Sequence, residues 1–356
     1  MRAVEIVSEG IAEGVFPGAS LIVADGGRRL VEHVAGARSV GAAGAAVAPV
    51  SAGAPVSAGA PVSATTLFDV SSLTKPLVTA LLVLRLVEDG ALGWDAATPI
   101  PGVTVRQLLT HSSGLPAWLP LYRDAVGRAA IVARAAAAPL ERAPGTASVY
   151  SDLGFIVLGD LVERSAGRRL DALAGERIFA PAGAGSARFV DLEAPDRPVD
   201  VAATEGVPAG EVHDENCHAA GGILGHAGLF ATADDVARVA EALVASYHGD
   251  AGAPFPPDLV RTMWTPCDVP SSTWRLGWDG PAARGSSAGE RWPKSGVGHL
   301  GFTGCSIWID PPRRRFVVLL TNRVHPTRAN EGMRAFRPRL HDAILAELAE
   351  VTEVDG

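Results

Sequence analysis

Apolar positions follow different spacings in different parts of this chain. Residues 19–36 form two short apolar runs on either side of a Gly-Gly pair, which predicts a β-hairpin. From residue 68 to about 190 the apolar positions recur at helical spacing, in stretches that end at Gly90, Gly114 and Gly167. This middle part of the chain is therefore predicted to be mainly helical.

The last third of the chain mixes helical and strand-like patterns. The stretch "TADDVARVAEALVASY" predicts a helix capped by Thr232, with Asp235 at the third helical position. The runs "CSIWID" and "RRFVVLLTN" are typical of buried strands, and a closing helix is predicted near 331–350. Strands near both ends with helices between them predict an α+β fold, in which the N- and C-terminal segments form one antiparallel sheet flanked by helices.

This order divides the chain into two predicted domains. Residues 1–67 and 215–356 form the sheet domain, and residues 68–214 are inserted as a mainly helical domain, with the active site in the cleft between them. Residues 48–64, "APVSAGAPVSAGAPVSA", repeat a hexapeptide almost three times. Such low complexity without a continuous apolar face predicts an extended surface insertion rather than a stacked β-helix.

Charge and composition exclude several classes of partner. The net charge of −8 and the pI near 5.6 argue against nucleic acid or an anionic membrane surface. Cys217, Cys267 and Cys305 do not make a disulfide framework. The start "MRAVEIVSEG" lacks the apolar core of a signal peptide, and no run approaches the ~18 residues of a membrane span. We therefore expect a cytoplasmic protein, or a periplasmic one if a leader was removed.

A lysine stands at the head of the most apolar helix. Only two of the 31 basic residues are lysines, Lys75 and Lys294, and all the others are arginine. Arginine stays protonated, whereas a buried lysine loses its proton readily, so a lysine kept in this composition indicates chemistry. If the helix begins near Ser72, Lys75 lies one turn further on the same face and the two side chains meet. The first turn of a helix also suits a developing oxyanion.

The same spacing has a purely structural interpretation, a serine N-cap followed by a lysine whose stem covers apolar surface. The pattern S-x-x-K by itself is therefore weak evidence. Two further motifs add to it: "YSD" at 150–152 comes just before an apolar helix, and "HLG" at 299–301 leads into a strand.

With these three motifs in this order, the chain resembles the serine β-lactamase and penicillin-binding-protein superfamily, and within it the class C β-lactamase and related esterase branch. The motifs of that branch are S-x-x-K, Y-x-N and K-T-G or H-x-G. The stretches "LLTHSSGLP", "VHDENCHAAGGILGHAGLF" and "FVVLLTNRVHP" are similar as well, so the resemblance covers most of the chain outside the repeat. It implies a β-lactamase/transpeptidase-like fold and a serine hydrolase that needs neither cofactor nor metal.

The resemblance implies a role for each motif residue. Ser72 would be the acylated nucleophile, and Lys75 and Tyr150 would share the work of general base and acid. The backbone N–H groups of Ser72 and of Phe302, which follows Gly301, would form the oxyanion hole.

Two residues depart from the family pattern. His299 stands where many relatives have lysine, and it would bind or attract a substrate carboxylate with a weaker, pH-dependent charge. Asp152 replaces the asparagine of Y-x-N, and an ionised carboxylate can only accept a hydrogen bond. We expect Asp152 to pair with Lys75 instead, which favours esterase or peptidase activity over efficient β-lactam hydrolysis.

Other motifs offer rival sites. The stretch "GSSAG" has the α/β-hydrolase pattern around Ser287, but its flanks predict a loop. "KSG" at 294–296 is similar to K-T-G, yet the following "VGHLG" is too rich in glycine for a strand, which favours His299. The His, Asp, Glu and Cys side chains of residues 213–226 could ligate zinc, although their spacing matches no common zinc motif. His111 is predicted to be a helix C-terminal residue.

We therefore expect a serine acyl hydrolase that acts through a covalent acyl-enzyme on Ser72. Its substrate would be a small ester, a β-lactam or a D-amino-acid peptide. The alternatives are a penicillin-binding sensor with slow turnover or a D,D-peptidase, and, less well supported, a metal-dependent hydrolase. Nothing in the sequence specifies an oligomeric state.

Overall fold

The structure is a computed structural model and describes residues 1–41 and 59–354. The strands of this part are β1 Gly18–Asp25, β2 Arg28–Gly36, β3 Phe68–Asp69, β4 Arg188–Phe189, β5 Leu229–Ala231, β6 Val297–Leu300, β7 Ser306–Asp310 and β8 Arg315–Thr321. The α-helices are α1 Arg2–Ala12, α2 Ala80–Glu88, α3 Val105–Leu109, α4 Arg128–Ala136, α5 Asp152–Ala166, α6 Leu170–Ala174, α7 Ala180–Ala182, α8 Glu215–Ala219, α9 Ala233–His248, α10 Pro257–Met263 and α11 Met333–Val354. Turns of 3₁₀ or π geometry lie at Ser71–Leu73, Lys75–Thr79, Leu121–Arg123, Gly175–Phe179 and Pro311–Arg313. None of these helices has the length and hydropathy to cross a bilayer.

The main sheet is antiparallel and joins the two ends of the chain, in the order β2-β1-β8-β7-β6. Leu21 of β1 lies opposite Leu319 of β8, and Ile307 of β7 lies opposite Val318 of β8. Every residue of β8 is buried. A strand covered on both faces needs a continuous apolar run, which explains the pattern "FVVLLT". The predicted α+β class, with a sheet built from both ends of the chain, is confirmed.

The two faces of this sheet pack against different helices. Leu21, Val23 and Leu319 belong to a core shared with α1 and α11. Ile22 and Val318 belong to the larger core, which includes α9 and continues into the helical part of the chain. Successive side chains of a strand point to opposite faces, so β1 and β8 contribute to both cores.

A second, three-stranded sheet connects the helical part to the rest of the molecule. β5 lies between β3 and β4, and Phe68 of β3 pairs with Ala231 of β5. The predicted boundary between residues 67 and 68 falls where the chain enters this sheet. One continuous apolar core crosses that boundary, so the division into residues 1–67 with 215–356 and residues 68–214 stays a prediction.

Local turn and cap chemistry follows the sequence at two predicted places. Gly26 and Gly27, with φ of +58° and +77°, close the hairpin between β1 and β2. α9 begins after Thr232, whose side chain accepts the Asp235 N–H while the Asp235 carboxylate binds the Thr232 N–H. The hairpin and the capped helix are both confirmed.

One prediction about the strands is wrong. "VGHL" forms β6, the edge strand of the main sheet, although its glycine content argued against a strand. Packing requires this glycine, because a Cβ on Gly298 would lie 2.4 Å from the ring of Trp308 on β7. The indole lies directly against the backbone of β6, so only a residue without a side chain fits there. His299, one position further on, is therefore held in a strand.

The low-complexity segment predicted at 48–64 lies for the most part outside the described residues. Its last part, residues 59–64, is described and runs beside the end of β2, where Val62 N donates to Gly36 O. The Val62 side chain is 6 % exposed and belongs to the larger core. The end of the repeat is therefore packed structure, which the prediction of a surface insertion did not include.

Candidate active site

Ser72 lies in the 3₁₀ turn Ser71–Leu73, and the residue before it has an unusual backbone. Ser71 has φ of +50°, which residues other than glycine adopt at a cost. The buried Asp69 carboxylate offsets this cost, because it accepts the N–H groups of Ser71 and His213, each at 2.8 Å. Burial raises the pKa of Asp69, and these hydrogen bonds oppose that shift. The segment of residues 69–72 is thus held in one conformation, and we name it the Ser72 segment.

Lys75 follows in a π-helical turn, Lys75–Thr79, and not in the regular α-helix that the spacing suggested. Pro76, the second residue of this turn, has no N–H to donate, which favours an irregular first turn. Turns of π geometry inside helices are common at functional sites. The regular helix begins only at α2, and the Lys75 side chain still reaches Ser72.

The Lys75 side chain is fully buried among three oxygen atoms. Its Nζ donates to Ser72 Oγ at 2.9 Å and to His226 O at 3.0 Å, and it lies 2.6 Å from Asp152 Oδ1. Burial lowers the pKa of Lys75, and the Asp152 carboxylate opposes this shift. Lys75 is therefore a cation whose proton can be lost more easily than that of an exposed lysine.

Tyr150 approaches Ser72 from the other side. Its hydroxyl donates to Ser72 Oγ at 2.8 Å, and its ring centroid lies 4.9 Å from Lys75 Nζ. Burial, with the Asp152 carboxylate adding to it, raises the pKa of Tyr150 well above its ordinary value. The tyrosine therefore remains a neutral phenol at neutral pH and donates a hydrogen bond to Ser72 Oγ.

Asp152 reaches Lys75 because it is the first residue of α5. Ser151 caps this helix, and its side chain is anchored by donating to Pro116 O at 2.7 Å. The Asp152 N–H donates to Ala117 O at 2.9 Å. These bonds fix the start of α5, so that the Asp152 carboxylate extends between Lys75 and the cleft.

His299, on β6, lies in the cleft wall in a neutral form. Its Nδ1 donates to Leu300 O at 2.8 Å, and its Nε2 is buried without a hydrogen-bond partner among the described residues. Burial, with the nearby Lys75 charge adding to it, lowers the pKa of His299 to about 3. At neutral pH Nε2 therefore carries a lone pair. The expectation that His299 attracts a carboxylate by its charge does not fit this environment.

The turn after β6 is docked onto the Ser72 segment. A Cβ on Gly301 would lie 2.5 Å from Val70 O, so only glycine allows this approach. Thr303 Oγ1 donates to Asp69 O at 2.7 Å. These contacts bring the Phe302 peptide beside the turn that carries Ser72.

These residues surround an open cleft of about 840 Å³, large enough for a substrate of moderate size. The predicted site residues that line it are Ser72, Tyr150, Asp152, His299, Gly301 and Phe302, with Lys75 buried behind Ser72. Two aromatic side chains of the lining, Trp118 and Phe302, are 43 % and 48 % exposed. The cleft thus offers apolar surface to an acyl group next to the polar atoms around Ser72.

Sequence reasoning missed the aromatic support of Tyr150. The His111 ring lies 4.7 Å from the Tyr150 ring and 4.2 Å from that of Trp274, and its Nδ1 accepts the Ser151 N–H at 3.0 Å. Burial lowers the pKa of His111 well below its ordinary value, so the ring is neutral. His111 follows helix α3, as predicted. Its place in the sequence does not indicate, however, that its ring packs against that of Tyr150.

A glycine-rich strap, residues 221–228, supplies the backbone carbonyl of His226 to Lys75. The strap packs directly on the backbone of α5, since a Cβ on Gly225 would lie 2.8 Å from the Cα of Gly159. The same Cβ would lie 2.2 Å from Phe155 O. The position of the His226 carbonyl therefore depends on this contact between the strap and α5.

Asp214 holds the other side of His226. Its Oδ1 accepts His226 Nε2–H at 2.9 Å and the Cys217 N–H at 2.8 Å. Burial raises the pKa of Asp214, but His226, Cys217 and Lys75 outweigh it and lower that pKa to about 2. In the described part of the chain, no three His, Cys, Asp or Glu side chains are arranged to hold a metal ion. Of the cluster considered as a zinc alternative, Asp214 and His226 are hydrogen-bonded to each other next to Lys75, whereas His218 pairs with Glu211.

The two rival motifs lie elsewhere. Ser287 is in a loop, as its flanks predict, and its carbonyl is 3.1 Å from His341 Nδ1. Lys294 is exposed and borders a separate cavity, formed by the loop before β6. Neither residue is among those that line the cleft at Ser72.

The chain belongs to the Beta-lactamase family, which its residues 3–339 match. This confirms the superfamily to which the three motifs pointed. The family, with the relatives below, supports serine-hydrolase-type activity.

Curated relatives are hydrolases of several kinds by name. A "Putative D-alanyl-D-alanine carboxypeptidase" of Escherichia coli (strain K12) is 31% identical over 305 residues, covering 73% of this chain and 70% of that protein. An N-acetylmuramyl-L-alanine amidase of Bacillus subtilis (strain 168) is 28% identical over 366 residues, covering 90% of this chain and 80% of that protein. Among solved structures, EstCE1, a hydrolase with promiscuous acyltransferase activity, is 20% identical with a TM-score of 0.69, over 95% of this chain and 97% of that one.

Proposed function

We propose that this protein is a serine acyl hydrolase that forms a covalent acyl-enzyme on Ser72 and turns over small esters more readily than β-lactams or D-amino-acid peptides. The proposal depends above all on Ser72 Oγ, which is hydrogen-bonded to Lys75 Nζ at 2.9 Å and to Tyr150 Oη at 2.8 Å in the wall of an open cleft. A serine becomes a nucleophile only when a neighbouring group can take its proton; Lys75 in its neutral form is such a group, and Tyr150 is placed to donate a proton to the leaving group.

In the acylation step, Ser72 Oγ attacks the acyl carbon and its proton passes to Lys75 in the neutral form. The acyl oxygen becomes negative near the N–H groups of Ser72 and Phe302. The bond to the leaving alcohol then breaks, Tyr150 donates its proton to that alcohol, and Lys75 returns a proton to Tyr150. In deacylation, water attacks the acyl carbon and its proton passes to neutral Lys75. The bond to Ser72 Oγ then breaks, Tyr150 donates a proton to that oxygen, Lys75 returns a proton to Tyr150, and the acid is released.

The preference for esters follows from two side chains in the cleft. Asp152 is a carboxylate that cannot donate to the amide carbonyl of a β-lactam or peptide substrate, and its charge opposes an anionic one. His299 presents a lone pair instead of a cation, so it does not compensate the carboxylate that such substrates carry. A neutral ester needs neither an N–H donor at position 152 nor a positive charge at position 299.

Three chromogenic or chemical probes test this function on the intact protein. We expect hydrolysis of p-nitrophenyl butyrate with a higher kcat/KM than that for a chromogenic cephalosporin or for release of D-alanine from a D-alanyl-D-alanine peptide. Mass spectrometry of the stopped reaction should show an acyl adduct on the peptide that contains Ser72. A long-lived adduct without turnover would identify a penicillin-binding sensor instead, and faster release of D-alanine a D,D-peptidase.

Two variants and one treatment identify the chemistry. Ser72→Ala should abolish both the adduct and ester turnover, because Ser72 Oγ is the atom to which both Lys75 Nζ and Tyr150 Oη are hydrogen-bonded. Ser287→Ala and a strong chelator should change neither. Loss of activity on chelation would support a metal-dependent hydrolase, and loss in Ser287→Ala would move the nucleophile to that loop.

A further inference from the structure

Arg337, on α11, is a buried arginine beside the active-site turn. It is 9 % exposed, and its Nη2 donates to Gly301 O at 3.1 Å and to Cys305 O at 3.0 Å. Its Nε is buried without a hydrogen-bond partner among the described residues. Within the same part of the chain no carboxylate forms an ion pair with it, and its side chain donates to the two carbonyls of this turn.

A buried cation without a counter-ion is costly and needs an explanation. Burial lowers the pKa of Arg337 to about 10, so the side chain is still charged at neutral pH. An apolar side chain of similar length would fill the same space without this cost. The charge therefore points to a task that involves the carbonyls it binds.

The bound carbonyl belongs to the same peptide group as the N–H of Phe302. In a trans peptide, the C=O of one residue and the N–H of the next point in opposite directions. The Gly301 carbonyl accepts from Arg337 of α11 at 3.1 Å, and also from the Gly304 N–H of its own turn at 3.0 Å. The N–H of Phe302 therefore points away from α11. Gly301, against Val70, and Thr303, bonded to Asp69 O, dock this turn on the Ser72 segment, so we take the side of Ser72 as the one that the Phe302 N–H faces.

We propose that Arg337 is a positioning residue for the oxyanion hole, which holds the Gly301–Phe302 peptide by its carbonyl so that its N–H faces the acyl oxygen. The guanidinium also polarises this peptide, and a polarised peptide is a stronger donor when the acyl oxygen becomes negative. This inference rests on the proposed function, because it requires that the acyl oxygen of a substrate on Ser72 lies beside Phe302.

The chain offers a matched control on the same helix. Arg334 also borders the cleft, but its side chain is 81 % exposed and lies 3.3 Å from Glu331. Arg337→Met and Arg334→Met each remove one positive charge beside the cleft, and only the first removes the hold on the Gly301 carbonyl. The two readouts are steady-state hydrolysis of p-nitrophenyl butyrate and the affinity for an alkyl boronic acid, which forms a tetrahedral adduct on a reactive serine.

Arg337→Met should lower kcat by roughly 10- to 100-fold, somewhat less than removal of an oxyanion donor itself. KM should stay within about twofold, because the interaction is made mainly in the transition state. The affinity for the boronic acid should fall by about the same factor as kcat, since both depend on stabilising a tetrahedral oxygen anion. Arg334→Met should leave both within about twofold.

Equal losses in the two variants would overturn the inference, because the general charge of the cleft would then explain them. An unchanged kcat in folded Arg337→Met would overturn it as well. If Arg337→Met does not fold, Arg337→Lys decides, since lysine keeps the charge and loses the planar guanidinium. We expect a loss of boronate affinity of about tenfold there, and an unchanged affinity contradicts the inference. A wild-type protein that forms no adduct on Ser72 would instead refute the proposed function.

Discussion

Because His299 is neutral, it offers no positive charge that would help a substrate with a carboxylate to bind in the cleft. Its Nδ1–H is bound to the Leu300 carbonyl, and its pKa of about 3 leaves Nε2 without a proton over the range of ordinary assays. We expect KM for a carboxylate-bearing cephalosporin to stay constant between about pH 5 and 8. If the ring instead gained a proton near its ordinary pKa, KM would fall as the pH is lowered. Steady-state kinetics at constant ionic strength distinguish the two.

Under the proposed function, Asp152 is the residue that favours ester over β-lactam hydrolysis. Asp152→Asn supplies an N–H donor to the substrate carbonyl and removes a negative charge from the cleft at nearly constant volume. A hydrogen bond made in the transition state is worth on the order of 1 kcal/mol, and more with a charged partner. The ratio of cephalosporin to ester kcat/KM should therefore rise by roughly tenfold, since 1.4 kcal/mol is one decade. A flat or falling ratio would restrict Asp152 to holding Lys75.

The same substitution should move the pH profile of ester hydrolysis. In the proposed mechanism Lys75 must be neutral to accept the Ser72 proton, so kcat/KM should rise with pH through the pKa of Lys75 and be lost below it. Burial lowers that pKa and the Asp152 carboxylate raises it. Without the carboxylate the pKa falls further, and the acid limb of Asp152→Asn should shift to lower pH. A shift in the other direction would mean that Lys75 acts only as a fixed cation.

The residues found from sequence are those whose partners are close in the chain or belong to a motif. Ser72 and Lys75 are three positions apart, so helical spacing alone brings their side chains together. His111 and Arg337 were missed because their contacts are long-range: His111 meets Ser151 and Trp274, and Arg337 meets a turn more than thirty residues earlier. No local pattern marks such pairs.

At the scale of elements, the strap and helix α8 act together on Lys75. The strap presents the His226 carbonyl, and Asp214, at the start of α8, holds the His226 ring. His226→Ala removes this hold, and we expect kcat for the ester to fall on the order of 10- to 100-fold, as for other small displacements of a catalytic group. KM should change little. His226→Gln, which keeps an N–H donor for Asp214, should recover most of the rate.

The control for this prediction is another histidine–carboxylate pair nearby. His218 Nε2 lies 3.0 Å from Glu211 Oε2, and the His218 side chain is 40 % exposed. Such exposed pairs contribute little to stability, so His218→Ala should leave kcat within about twofold. Equal losses in His218→Ala and His226→Ala would show that this region matters only for general stability.

Helices and strands were predicted correctly where the spacing of apolar residues matches the buried face. They were predicted less well where a single side chain, such as that of Trp308, determines which residue the neighbouring backbone accepts. The hairpin, the capped helix α9 and the C-terminal strands follow from turn chemistry and apolar runs. β6 was misjudged because its glycine is required by the Trp308 ring of the neighbouring strand. A regular helix was predicted from Ser72 onward, whereas the chain forms a 3₁₀ turn and then a π turn there; Pro76, which has no N–H to donate, favours this irregular start.

At the scale of the whole molecule, buried histidines link stability to pH. Burial lowers the pKa of His341 to about 4 and that of His299 to about 3, below their values in the unfolded chain. The unfolded state then binds more protons, so the free energy of unfolding is highest above about pH 6.5 and falls below it, by up to ~1.4 kcal/mol per pH unit for each histidine. The Tm should therefore fall steeply between about pH 6.5 and 4.

His341→Asn tests this linkage away from the cleft. Asparagine can still donate to the Ser287 carbonyl that His341 binds, and it does not titrate. We expect the variant to lose less Tm than the wild type between about pH 7 and 4.5, with unchanged ester hydrolysis at neutral pH. Thermal unfolding followed by circular dichroism measures this. Parallel losses in the two proteins would assign the acid sensitivity to other groups.

The contact between Gly159 and Gly225 has a consequence for anyone who tries to engineer this protein. Because a methyl group on Gly225 would overlap the backbone of α5, every larger residue there must push the strap outward and take the His226 carbonyl with it. These two glycines act as a spacer of minimum thickness between the strap and α5, and this spacer sets the position of the carbonyl that binds the Lys75 amine. Libraries that vary the cleft lining will change which acyl groups fit, whereas diversity at the spacer will mainly yield inactive clones. Holding both glycines constant keeps a library within the active part of sequence space.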